Sequence, residues 1–107
     1  MKFGILISTL IVPALGGCDK VSSNFNIEDP HGTVRSAELR LCRSHTELNN
    51  SNRKFNVTKM IDCEGEGYIF VHLSDGRQIS CHIGYVTFDI EQNFDFVVDG
   101  TQCLPKD

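Results

Sequence analysis

Four cysteines, Cys42, Cys63, Cys81 and Cys103, recur about every twenty residues through the C-terminal part of a 107-residue chain. Their spacing constrains the fold more than any other feature. The stretch that contains them is some seventy residues long, and a domain of that size buries a marginal core that ordinarily needs covalent staples. An even set of cysteines in an oxidising compartment supplies two disulfides. Pairing in sequence order would close two loops of about twenty residues, each worth roughly 3 kcal/mol in the loop-entropy model. Three connectivities are possible, and Cys42 with Cys63 and Cys81 with Cys103 is the preferred one. A structural zinc site is the competing use of these sulfurs. It is disfavoured because none of the four has another cysteine two to four positions away.

The fifth cysteine, Cys18, breaks the even count and sits at the end of a hydrophobic leader. Lys2 precedes the run FGILISTLIVPAL, Phe3 to Leu15, in which only Ser8 and Thr9 are polar. As a helix the run would reach about 20 Å, short of the ~30 Å hydrocarbon core, so it reads as a secretory signal and not as a membrane span. Ordinary signal-peptide cleavage prefers a small residue at the third position before the cut, where this chain has Leu15. The sequence Leu15-Gly16-Gly17-Cys18 instead resembles the lipobox of bacterial prolipoproteins. That resemblance implies cleavage before Cys18, a diacylglyceryl group on its sulfur and acylation of the new amino terminus. Several acyl chains exceed the two-signal requirement for stable anchoring. The implied location is the bacterial cell envelope, membrane-anchored and facing the periplasm, and Asp19 resembles the signal that retains some lipoproteins in the inner membrane. The alternative is a plain secretory peptide that leaves Cys18 as a free thiol.

Removing residues 1 to 17 leaves a single domain's length of chain and takes Lys2 with it, so the formal charge falls from −4 to −5. No polybasic run is present. An acidic chain lacks the cations that neutralise phosphates, which argues against nucleic acid as a partner. The polar stretch DKVSSNFNIEDPHGT, with Pro30 and Gly32 as breakers, reads as a flexible tether. The expected organisation is a signal peptide over 1 to 17, a lipidated cysteine and tether over 18 to 33, and a small β domain over 34 to 107. His31, in the tether, has no assigned role.

Alternation carries the fold. EGYIFVHLSDGRQISCHIGYV, residues 66 to 86, reads as a hairpin around Ser74-Asp75-Gly76. A three-residue loop with a left-handed Gly76 sets Ile69 opposite Cys81 and Val71 opposite Ile79, aligning one apolar face, whereas a two-residue loop would scatter it. Past Ile83 the apolar residues switch to Val86, Phe88 and Ile90, with Gly84 at the switch, the pattern of a β-bulge. Phe94, Phe96 and Val98 alternate with polar Asp95 and Asp99 as a further strand. Upstream, Ala37, Leu39 and Leu41 alternate with Glu38 and Arg40, and Phe55 and Val57 follow the polar stretch NNSN, which together predict an earlier hairpin. A helix face through Val34, Ala37 and Leu41 with Thr33 as cap is the alternative for the first run. The fold class expected is all-β, a small antiparallel sandwich or barrel of five or six short strands stapled by two disulfides.

The candidate interaction residues are Tyr68, Phe70 and His82, which share the second face of the 66–86 hairpin, and Glu64 and Glu66 in the acidic loop beside it. Exposed, the rings form a partner-binding patch; covered, they form a second layer of core. His72 and His82 lie about 13 Å apart by strand rise, too far to share a metal. Asp62, Glu64 and Glu66 read as a solvated acidic loop, since no calcium-loop pattern surrounds them. Ser44 and His45 are neighbours that a strand would point to opposite faces, and no Gly-x-Ser-x-Gly elbow exists, so no catalytic set is apparent. The Asn-x-Ser/Thr sequences at Asn49 and Asn56 carry no weight in a bacterial chain.

No cofactor or metal is implied. The function expected is a non-enzymatic, lipid-anchored interaction module that binds another envelope protein. An inhibitor or immunity protein against a periplasmic cell-wall hydrolase or toxin is the second expectation. Its plan is similar to that of the periplasmic lysozyme-inhibitor lipoproteins, which are small, lipid-anchored and all-β, although their motifs are absent here and the chain has no tryptophan. A small hydrolase or ligand-binding lipoprotein is a third class, for which no constellation is found.

Overall fold

The computed structural model describes residues 21–106. Cys18, Asp19 and the leader lie outside the described residues. Nine strands form: β1 Ser22–Glu28, β2 Val34–Leu41, β3 Ser44–Glu47, β4 Asn49–Ser51, β5 Lys54–Met60, β6 Gly65–Leu73, β7 Gln78–Val86, β8 Asn93–Asp99 and β9 Gln102–Pro105. They build two sheets, one ordered β4-β5-β1-β8-β9 and the other β3-β2-β6-β7. The domain is an all-β sandwich. Nine strands replace the expected five or six, because β3, β4 and β9 have only three or four residues and show little alternation. One neighbouring pair, β1 with β8, is parallel.

The largest correction concerns the tether. Residues 22–28, expected within a flexible stretch, form the central strand of the five-stranded sheet, flanked by β5 and β8. The reason is the burial of every second side chain, with Ser23, Phe25 and Ile27 each at most 1% exposed. Burying Phe25 and Ile27 contributes roughly 1.5–3 kcal/mol each, enough to order a strand whose alternate residues are polar. Asp29 then turns the chain into β2. Its buried carboxylate accepts hydrogen bonds from the backbone N–H of Thr33 (2.9 Å) and Val34 (3.0 Å), so the acid is a turn cap and not a solvated residue.

The hairpin β6–β7 has the expected register, with Ile69 opposite Cys81 and Val71 opposite Ile79. Gly76 adopts φ 96°, and Leu73 N–H donates to the Arg77 carbonyl at 2.8 Å, closing a three-residue loop. The expected bulge is also present. Gly67 pairs with Gly84 and Tyr68 with His82, leaving Ile83 as the extra residue and Gly84 at φ 94°. The bulge lets Cys81 and Val86, of opposite parity, both point inward. Phe88 and Ile90 do not continue the strand; they lie exposed in the loop between β7 and β8.

The expected upstream hairpin is corrected. Residues 34–41 are a strand, but β2 and β5 belong to opposite sheets and each closes its own two-residue turn, at Cys42-Arg43 and Asn52-Arg53. All four turn residues have φ between 53° and 66°, the left-handed geometry that matches strand twist. Leu48 and Ile61, both buried, are pivots where the chain steps from one sheet to the other.

Two disulfides form in sequence order, Cys42–Cys63 and Cys81–Cys103. The first ties the β2–β3 turn to the β5–β6 crossover. The second joins β7 to β9, the edge strands of opposite sheets. Between the sheets Ala37, Leu39, Ile69 and Val71 meet Phe25, Ile27, Phe55 and Val98.

Candidate functional site

The sandwich leaves the outer face of the four-stranded sheet uncovered among the described residues, and the residue ladder across it assembles a mixed aromatic and charged surface. His45, Arg40, Tyr68 and His82 form one row through β3, β2, β6 and β7. Glu47, Glu38, Phe70 and Ser80 form the next. Because side chains alternate along each strand, the inward Ile69 and Val71 force Tyr68 and Phe70 outward. Tyr68 is 39% exposed and Phe70 half-buried, so Tyr68 is open to solvent and not part of a second layer of core, while Phe70 is partly covered.

The rings are held in contact with cations and imidazole. The Tyr68 and His82 ring centroids are 5.0 Å apart, and those of Tyr68 and Phe70 6.2 Å. The Arg40 guanidinium lies 4.5 Å from the Phe70 centroid, a cation–π distance. Glu38 steadies that guanidinium, accepting from Arg40 Nε at 3.1 Å, and it also lies 3.4 Å from His45 Nδ1.

The acidic residues run along the end of this face. Glu66 Oε1 and His82 Nε2 are 2.7 Å apart. The Tyr85 hydroxyl donates to Glu64 Oε1 at 2.9 Å, and this bond to a carboxylate holds the phenol above its ordinary value of 10.0. Glu64 and Glu66 are therefore committed to separate partners, while Asp62 approaches the Cys42 and Cys63 sulfurs, the three ligand-type atoms lying within 4.8 Å of one another. Those sulfurs are bonded to each other and offer no thiolate.

The structure thus brings Tyr68, Phe70, His82, Glu64 and Glu66 to one face and its adjoining end. Arg40, Glu38, His45 and Tyr85 join them; of these, sequence reasoning weighed only His45, as a catalytic neighbour of Ser44, and placed none of them on this face. Their sequence signal was only outward parity in strands, since the partnership of β2 with β6 is what sets Arg40 beside Tyr68. Ser44 and His45 have separate partners: Ser44 Oγ donates to the Leu41 carbonyl at 2.8 Å, and His45 faces Glu38. His72 pairs with Gln78, two rows from His82. The chain matches no known family model and shows no significant similarity to a curated protein.

Proposed function

We propose that this chain is a lipid-anchored interaction module of the bacterial envelope, without catalytic activity, that captures a protein partner through the outer face of the four-stranded sheet. The observation that carries the reading is the exposed Tyr68 ring beside the half-buried Phe70, with His82 against the first ring and Arg40 over the second. Aromatic rings and arginine supply most of the energy in protein interfaces, because they bury large area at small entropic cost. Four depressions on the described surface hold about 150 to 300 Å³, at or below the ~300–1,000 Å³ of ordinary small-molecule pockets, which favours a macromolecule.

Crosslinking from cells that produce the full chain tests this reading. The double substitution Tyr68→Ala and Phe70→Ala is expected to abolish capture while thermal unfolding stays cooperative. Capture unchanged by the double substitution overturns it. The exposed Asp62, Glu64 and Glu66 favour a second reading, an inhibitor that presents carboxylates to a cationic hydrolase. That reading requires one-to-one inhibition of a purified cell-wall hydrolase, lost on substituting Glu64 and Glu66.

A further inference from the structure

The exposed large apolar side chains gather at one end of the sandwich. One end carries the turns Pro30-His31-Gly32, Asn52-Arg53, Ser74 to Arg77 and Asp99-Gly100, all polar or glycine-rich apart from Pro30. The other carries Met60, Tyr85, Phe88 and Ile90, exposed by 57%, 58%, 38% and 58%. Only Tyr68 and Leu104, among exposed large apolar residues described, lie elsewhere. The register shows why these four share an end. Met60 is opposite Ser22, Tyr85 is next to the last residue of β7, and the loop with Phe88 and Ile90 leads into β8, which runs parallel to β1. Gln92 fastens that loop to the start of β1: its carbonyl accepts from Asn24 N–H at 2.9 Å, and its N–H donates to Ser23 Oγ at 3.1 Å.

This is also the end at which the chain enters. Val21 accepts from Ile61 N–H at 3.1 Å, beside Met60. Cys18 is only three residues earlier in the sequence, so little chain separates an anchor there from Val21. With residues 22–28 built into the sheet, the reach of a long tether is gone.

We propose that the end bearing Met60, Tyr85, Phe88 and Ile90 docks on the surface of a zwitterionic bilayer, so that the domain sits directly on the membrane with its polar turns pointing away. The proposal deepens the reading of Cys18 as an acylated anchor and rests on it. Acyl chains rooted at most a few residues from Val21 bring this end, and not the other, to the interface. Tyr85 presents a ring with a polar tip, the type of side chain that settles at headgroup depth, and Phe88 and Ile90 are exposed apolar groups on a loop, small enough in area for an interfacial contact and not a span. Asp62, Glu64, Asp89 and Glu91 outnumber Arg43 and Lys59 at the same end, and this acidic excess repels anionic headgroups and selects a zwitterionic surface. Both sheet faces then stand upright and open to the aqueous side, with Tyr68 and Phe70 accessible.

The test uses full chain purified from a bacterial host and mixed into phosphatidylcholine and phosphatidylethanolamine vesicles that carry a photoactivatable lipid. Lipid adducts are expected on Met60 and on peptide 87–92 and absent from the turns at 30–32 and 74–77. Replacing part of the lipid by phosphatidylglycerol is expected to reduce them. The Phe88→Asp, Ile90→Asp double variant should lose the adducts while thermal unfolding stays cooperative. Adducts confined to the N-terminal peptide, or contacts of this end with a second copy or another protein in native membranes, overturn the docking. The mass of the Cys18 peptide reports the anchor separately. A bare thiol there refutes acylation, and the adducts on Phe88 and Ile90 still decide whether this end meets lipid.

Discussion

Cys81 and Cys103, with Cα atoms 5.3 Å apart, link the edge strand of one sheet to the edge strand of the other. Cys81 is 1% exposed and lies in the core, so this bridge closes the sandwich along one side. With a sequence separation of 22, loop-closure entropy gives it about 3 kcal/mol. The double variant Cys81→Ala, Cys103→Ala is expected to lose at least that amount, read as a lower urea midpoint. Cys42→Ala with Cys63→Ala should lose a similar entropic term, since its separation is 21, but without opening the seam between the sheets. Equal exposure of the core to an apolar dye in the two variants would contradict this difference.

Two glycines on the paired strands β6 and β7 are required for different physical reasons. At Gly84, a Cβ would meet nothing within 4 Å, but φ is 94°. Gly84→Ala is therefore expected to cost roughly 1–3 kcal/mol through backbone strain alone. At Gly67 the obstacle is packing: a Cβ would sit 3.0 Å from Leu41 Cδ1 and 3.6 Å from the Arg40 carbonyl oxygen. Gly67→Ala is expected to cost about 1–3 kcal/mol by overpacking. Trimming Leu41 to Val should recover part of the loss at Gly67 and none at Gly84. Chemical unfolding of the four variants checks the pair of mechanisms.

Acid should loosen the far end of β9. Lys106 Nζ donates to Glu28 Oε2 at 2.6 Å, and this hydrogen bond, aided by the charges of Lys106 and Lys54, holds the Glu28 carboxyl below its ordinary value of 4.5. A depressed folded pKa means that the contribution is present above the unfolded value and lost as pH falls through the folded one. The melting temperature of the wild type is expected to fall with acid below about pH 4.5 more steeply than that of Glu28→Gln. Identical slopes would assign the acid sensitivity to other carboxylates, Asp75 first, whose pKa is lowered by the hydrogen bond from Arg77.

What the sequence revealed depended on how each residue's environment is determined. The β6–β7 register was legible because nine-residue strands with a glycine loop leave only one frame that gathers Ile69, Val71, Ile79 and Cys81 on a side. The presence of two disulfides was legible from the even count, but spacing left three connectivities open, of which the preferred sequence-order pairing is the one that forms. The turns at Cys42-Arg43 and Asn52-Arg53 were not, since their left-handed residues carry no glycine to mark them. β1 was missed because its outward positions are Asn24, Asn26 and Glu28 and its borders hold Pro30 and Gly32, so its composition is that of a loop. Its polar side is used in the sheet: Asn24 Nδ2 donates to Asn93 Oδ1 at 2.7 Å, Thr58 Oγ1 donates to Asn24 Oδ1 at 2.7 Å, and Asn26 Nδ2 donates to Asp95 Oδ1 at 2.8 Å. These partners are 34 to 69 residues away. The candidate face was half legible for the same reason. Tyr68, Phe70 and His82 share one hairpin, whereas Arg40 arrives by non-local pairing.

The position of β1 gives the most direct check of the fold. Phe25 is 0% exposed and stacks on Phe94 with ring centroids 5.2 Å apart and planes 10° from parallel. A residue in a tether could be truncated without consequence. In the central strand of a sheet, Phe25→Ala removes a ring from the core and is expected to cost about 3–5 kcal/mol, a large share of the ~5–15 kcal/mol that holds a small domain together. Phe88→Ala, at a position 38% exposed, should cost much less, on the order of 1 kcal/mol. The contrast between two phenylalanines in one chain cancels general effects of losing an aromatic ring. Urea unfolding of the two variants under oxidising conditions measures it, and a Phe25→Ala midpoint equal to that of Phe88→Ala would remove β1 from the sheet and return residues 22–28 to a linker.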